Sequence, residues 1–144
     1  MKVGFIGLGT MGQPMAGRLL DGGCELFVHS RKPAPSELID KGAHDCRSAK
    51  IVAASSDIII TMVPDTPNVE TVLFGTNGVA AGLSSGKTLV DMSSISPLAT
   101  KEFAAKIKKL GCSYLDAPVS GGEIGAKQGT LTIVSAATNR PSSG

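Results

Sequence analysis

Aromatic residues are nearly missing from this sequence: 3% of 144 residues, with no tryptophan. The core must therefore be aliphatic, and the base-stacking platforms of nucleic-acid binders are excluded. Cysteine is scarce too. Cys24, Cys46 and Cys112 stand far apart without a CxxC pair, which excludes a disulfide framework and suits reduced thiols in a cytoplasmic protein. His29 and His44 have no metal-ligand spacing with them, so no metal site is expected. Charge of one sign is also lacking. The formal balance is only +2, and the basic residues are scattered, which argues against a nucleic-acid or membrane partner. No apolar run reaches the roughly 18 residues of a membrane span. The N-terminal "MKVGFIGLG" is broken by glycines and has no cleavage site after it, so no signal peptide is expected.

What is present is alternation. "KVGFI" predicts a first strand, with a helix over about 10–20 after it. "ELFVH" is a second strand, and the proline-broken "RKPAPS" leads to a short helix over 37–41. A third strand is expected over 43–45, then a helix capped by Ser48 and running to Ala54. "DIIITMV" is apolar almost throughout and predicts a fully buried strand. Thr66-Pro67 and Ser96-Pro97 both read as a cap followed by proline at the first helical position. "KTLVDM", "SYLDA" and "TLTIV" complete the expected strands. Ala99, Phe103, Ile107 and Leu110 share one helical face, and Gly111 suits the end of that helix. Strands alternating with helices imply right-handed crossovers in a parallel sheet. The expected fold is α/β, a doubly wound, mainly parallel sheet with helices on both faces. The domain is expected over 1–134, with 135–144, small and polar, as a loose tail.

The glycines carry the chemistry. Gly7-x-Gly9-x-x-Gly12 lies between the first strand and the first helix. In that setting Gly7 permits a tight turn, Gly9 lets a pyrophosphate approach the backbone, and Gly12 lets helix and strand pack closely. The free N–H groups at the helix start suit the phosphates. Leu8, Thr10 and Met11 line the same turn. The alternative is a close-packed βα turn without a ligand. After the second strand, "FVHSRKP" has no acid to hold the ribose hydroxyls of NAD. Ser30, Arg31 and Lys32 stand there instead and would welcome a 2′-phosphate, so NADP is favoured, with NAD or a merely solvated basic turn as alternatives. "GLSSGKT" at 82–88 is similar to an ATP-type phosphate loop, but Ala81 occupies the first glycine position and Lys87 leads into a strand, which sets ATP aside.

Ligands of open parallel sheets gather beyond the carboxyl ends of the strands. There Val63 and Pro64 would face the cofactor, Ser94 follows the fifth strand, and Ser120-Gly121-Gly122 follows the sixth. A hydroxyl beside two unhindered N–H groups suits a carboxylate, though from the residues alone the stretch reads equally as a flexible turn.

"GFIGLGTMGQPMA", "MVPDTPNVETVLFG", "VDMSSISP" and "DAPVSGGEIGAKQGTLTI" together resemble the β-hydroxyacid dehydrogenases over residues 1–134. The resemblance implies a Rossmann-type cofactor domain and hydride reduction of a small aldehyde acid, tartronate semialdehyde, to glycerate. It implies that Ser120, Gly121 and Gly122 hold the substrate, and that Ser94, Val63 and Pro64 lie beside the nicotinamide and its ribose. Full-length members oligomerise through a helical second domain and carry a proton-donating lysine in a G-x-x-G-x-G-x-x-x-K-x-x-N stretch. These residues hold no such stretch, and Lys127, in a glycine-rich loop, does not replace it. The expectation is a cofactor domain that binds but does not turn over. A freestanding dinucleotide module or pseudoenzyme is the reading from another class, and 6-phosphogluconate dehydrogenase is a related alternative.

Overall fold

Val3, Phe5, Ile59, Ile60, Leu89 and Val90 have no solvent exposure, which is what continuous apolar strands demand: burial on both faces of a parallel sheet. The computed structural model describes residues 2–7, 12–30, 36–63, 66–92 and 97–116. In chain order these form β1 (Lys2–Ile6), α1 (Gly12–Asp21), β2 (Glu25–His29), α2 (Ser36–Asp40), β3 (His44–Asp45), α3 (Ala49–Ser55), β4 (Ile58–Thr61), α4 (Thr66–Phe74), α5 (Val79–Gly82), β5 (Thr88–Asp91), α6 (Pro97–Lys109) and β6 (Ser113–Asp116). The sheet order is β3-β2-β1-β4-β5-β6, and every pairing is parallel.

Two apolar layers cover this sheet. On one face Met15, Ala16 and Leu19 of α1 and Leu38 of α2 pack on Val3, Phe5, Leu26, Val28, Ile58 and Ile60. On the other, α3, α4, α5 and α6 bring Val52, Val69, Leu73, Val79, Phe103 and Ile107 onto Ile6, Ile59 and Leu89. The chain changes face between β3 and β4, so β1 and β4 are neighbours whose connections leave in opposite directions. That divergence opens a crevice at their carboxyl ends.

Gly4 sets how closely α3 approaches the sheet. A Cβ on Gly4 would collide with Val52 Cγ1 and lie 2.8 Å from Ser56 Oγ, so only a bare backbone lets α3 lie against β1. Helix ends follow local chemistry. The Ser48 side chain accepts from Ile51 N at 3.3 Å, as expected of an N-cap. Lys87 Nζ donates to the carbonyls of Ala53 (2.6 Å) and Ala54 (3.1 Å) at the other end of α3. A cation on the last carbonyls of a helix complements its dipole. Lys87 is thus a helix cap, consistent with setting the ATP-type reading aside.

Several expectations need correction. Leu110 is 41% exposed, not on the buried face with Ala99, Phe103 and Ile107, because α6 ends at Lys109 and Gly111 (φ 80°) turns the chain away. The run "DIIITMV" yields a strand only over Ile58–Thr61, with Met62 and Val63 half-buried beyond it. Thr66 is the first residue of α4 and not its cap, a one-residue displacement. The four-residue α5 was not expected; its Gly82 packs so closely on α3 that a Cβ would meet the Lys50 carbonyl. The expected strand "TLTIV" and the tail lie outside the described residues.

Candidate functional site: the carboxyl edge of the sheet

The parallel register puts Ile6, His29, Thr61, Asp91 and Asp116 in one row across β2, β1, β4, β5 and β6. The backbone ladder continues one step past that row. Gly7 N donates to His29 O (3.1 Å), Met62 N to Ile6 O (2.9 Å) and Met92 N to Thr61 O (2.8 Å). The segments that leave β1, β4 and β5 therefore start from fixed points.

Gly7 is the first of those points. Its φ is 101°, a region L side chains rarely adopt. A Cβ there would collide with the Met62 carbonyl and lie 3.2 Å from Val63 Cγ1. The corner thus needs bare backbone on two independent grounds, conformation and space, and it sits where β1 and β4 diverge. α1 begins five residues later at Gly12, so its N-terminus lies at the same end of the sheet. A bare-backbone corner followed by a helix N-terminus is the kind of setting that suits a pyrophosphate.

Of the residues singled out from the sequence, the structure brings Gly7 and Val63 together and seats Ser30 directly after β2, half-buried, one residue past the His29 carbonyl that accepts from Gly7. Gly12 opens α1. Leu8, Gly9, Thr10, Met11, Arg31, Lys32, Pro64, Ser94, Ser120, Gly121 and Gly122 lie outside the described residues.

Two polar arrangements at this edge were not foreseen. The Nδ1–H of His29 donates to the Cys46 carbonyl at 3.0 Å, tying the end of β2 to the segment after β3. The Cys46 thiol itself is pushed up from its ordinary value by burial, and further by the charge of Asp45. Between β4, β5 and β6, the fully buried Asp91 accepts from Thr61 Oγ1 at 3.1 Å and from the Tyr114 hydroxyl at 3.0 Å. An acid ending the apolar run "KTLVDM" was the available signal. Among the described residues no cluster of His, Cys, Asp and Glu could hold a metal ion, and no helix is long and apolar enough to cross a membrane.

A six-stranded parallel sheet in this order, wound on both faces, with a glycine corner at its switch point, defines a dinucleotide-binding domain of the Rossmann class. Comparison with known proteins narrows that class. Residues 2–141 match the family described as the NAD binding domain of 6-phosphogluconate dehydrogenase. The 2-hydroxy-3-oxopropionate reductase of Escherichia coli (strain K12) is 57% identical over 134 residues, covering 93% of this chain and 46% of that protein. Mitochondrial 3-hydroxyisobutyrate dehydrogenase of Bos taurus is 41% identical over 133 residues, covering 92% of this chain and 40% of that protein. An imine reductase from Myxococcus stipitatus, solved in complex with NADP+, superposes with a TM-score of 0.77 at 30% identity over 86% of this chain and 43% of its own. The chain belongs to the 6-phosphogluconate dehydrogenase-like β-hydroxyacid dehydrogenase family and is an NAD(P)-binding domain of it. Members of that family are oxidoreductases acting on CH–OH groups. The chain spans about half the length of the curated relatives it matches.

Proposed function

We propose that this chain is the cofactor half of a reductase that converts the aldehyde of tartronate semialdehyde to the alcohol of glycerate, using NADPH. The 57% identity to the Escherichia coli reductase carries the substrate assignment, against 41% for the 3-hydroxyisobutyrate enzymes. The bare-backbone corner at Gly7 supports the cofactor assignment. Residues 1–134 form the domain in this reading, and 135–144 a polar tail.

The roles assigned to this chain's residues follow from their places in the sequence and from the family resemblance. Gly7, Leu8, Gly9, Thr10, Met11 and Gly12 wrap the pyrophosphate, with main-chain N–H groups as donors. Ser30, Arg31 and Lys32 take the adenosine ribose and its 2′-phosphate; the guanidinium matches phosphate geometry with paired hydrogen bonds. Val63, Pro64 and Ser94 bear on the nicotinamide and its ribose. Ser120, Gly121 and Gly122 hold the carboxylate of the substrate.

When bound, the reduced nicotinamide supplies a hydride to the aldehyde carbon, and the carbonyl oxygen takes up a proton. None of the 144 residues is assigned as donor of that proton, because the lysine stretch of the family is not among them. General acids contribute roughly 10²–10⁴-fold. The 144-residue polypeptide by itself is therefore expected to bind dinucleotide without turnover. Three free cysteines suit a cytoplasmic setting.

Calorimetric titration with NADPH and with NADH tests the cofactor assignment. NADPH is expected to bind more tightly, and Arg31→Ala to remove that preference while sparing NADH. Equal affinities in the wild type would reverse the NADP assignment. Steady NADPH oxidation by the purified polypeptide with tartronate semialdehyde would refute the reading of a binding half.

A further inference from the structure

Asp91 is an unusual residue for its place. β5 is otherwise apolar where it is buried, and Leu89 and Val90 already give the strand its packing on both faces. Burying a carboxylate is unfavourable unless hydrogen bonds replace its water. Here each oxygen takes a hydroxyl from a different neighbouring strand: Oδ1 from Thr61 of β4, Oδ2 from Tyr114 of β6. Thr61 and Asp91 are direct partners in the register, whereas Tyr114 is two residues before Asp91's partner, Asp116, so its ring reaches diagonally along the edge. Thr61, like Asp91, has no solvent exposure.

Position gives this bridge its meaning. It sits in the last row of the sheet, where Met62 and Met92 begin the segments that leave β4 and β5. The glycine corner lies at the end of β1, and Ser30 follows β2 on one side of it. An extended dinucleotide that puts its pyrophosphate at Gly7 and its adenosine half over β2 must carry its nicotinamide half toward β4, β5 and β6.

Resting on the dinucleotide reading given above, we propose that Asp91 is a positioning residue for the nicotinamide half of the cofactor, acting through Thr61 and Tyr114. It does not touch the cofactor. It clamps the ends of three strands laterally, so that the segments leaving them start from a preset spacing. Preorganisation of this kind raises affinity by lowering the ordering demanded on binding.

The test compares a whole cofactor with half of one. NADPH engages both sides of the corner; 2′,5′-ADP engages only the pyrophosphate corner and the β2 side. Tyr114→Phe keeps the ring and removes one hydroxyl, and Thr61→Val removes the other. Each is expected to weaken NADPH binding by about fivefold to tenfold, while 2′,5′-ADP affinity stays within about twofold of wild type. Asp91→Asn, which replaces one acceptor by a donor, should act in the same direction and more strongly. Urea unfolding of each variant confirms that folded protein is being titrated, and the two hydroxyl deletions suffice if Asp91→Asn does not fold. Equal losses for both ligands, no loss for either, or a wild-type chain that binds NADPH no better than 2′,5′-ADP would overturn the proposal. A wild-type chain that binds neither ligand would overturn the dinucleotide reading itself, and this proposal with it.

Discussion

At Gly7 a single hydrogen atom in place of a side chain decides whether the corner can form. Two constraints coincide there, a φ of 101° and the Met62 carbonyl pressed against the site of a Cβ. Gly7→Ala is therefore expected to destabilise the fold by about 1–3 kcal/mol and to lose nucleotide binding. Urea unfolding and calorimetry separate the two losses. Gly4→Ala should be comparably destabilising, about 1–3 kcal/mol, through overpacking against Val52 and Ser56, but Gly4 is inside the sheet and the folded fraction should still bind. Cys112 gives a prediction in pH. Burial pushes its thiol above the ordinary 9.0, opposed by Lys87. Above that value the unfolded chain loses a proton that the folded chain keeps. The native state then binds more protons, so stability falls as pH rises through the window between the unfolded and folded values. Unfolding free energy measured from about pH 8 to about pH 10 should decline, and Cys112→Ala should flatten the decline.

Among elements, α3 is the one most dependent on its ends. It has seven residues, too few to be stable alone, and is held by Ser48 at one end and Lys87 at the other. Ser48→Ala is expected to lower stability by about 1 kcal/mol. Lys87→Met keeps the apolar stem but loses the charge on the helix carbonyls, and should lower stability by about 1 kcal/mol as well. Chemical denaturation of the two variants and their double mutant checks both values and whether they add. The strands were legible because burial on both faces leaves an uninterrupted apolar signature, as in β4. The ends of that signature were not, since Met62 and Val63 stay apolar and half-buried past the last residue of the strand, Val63 against the Gly7 corner. α5 was not legible: four residues between Gly78 and Leu83 are too few to display a period. Leu110 kept the helical period in sequence after the helix had stopped in space. Gly4 and Asp91 were missed for a shared reason, because each matters through a contact with an element far away in the chain.

For the molecule as a whole, alternation of strand and helix was enough to indicate a parallel, doubly wound sheet, but not the strand order. The order follows from where the chain changes face, between β3 and β4, and that change creates the crevice beside Gly7. Corner, crevice and strand edge are thus one consequence of topology, and a ligand seated across them should stabilise the whole sheet. Binding to the native state alone adds about 2.7 kcal/mol when free ligand is a hundred times its dissociation constant. For a chain of 144 residues that corresponds to a rise of about 9 °C in the melting temperature. NADPH at such a concentration should produce that rise in a thermal scan. Gly7→Ala should show none, and Tyr114→Phe, at the same ligand concentration, a smaller rise from its own baseline. A rise of equal size in wild type and Gly7→Ala would locate the nucleotide away from the β1 corner.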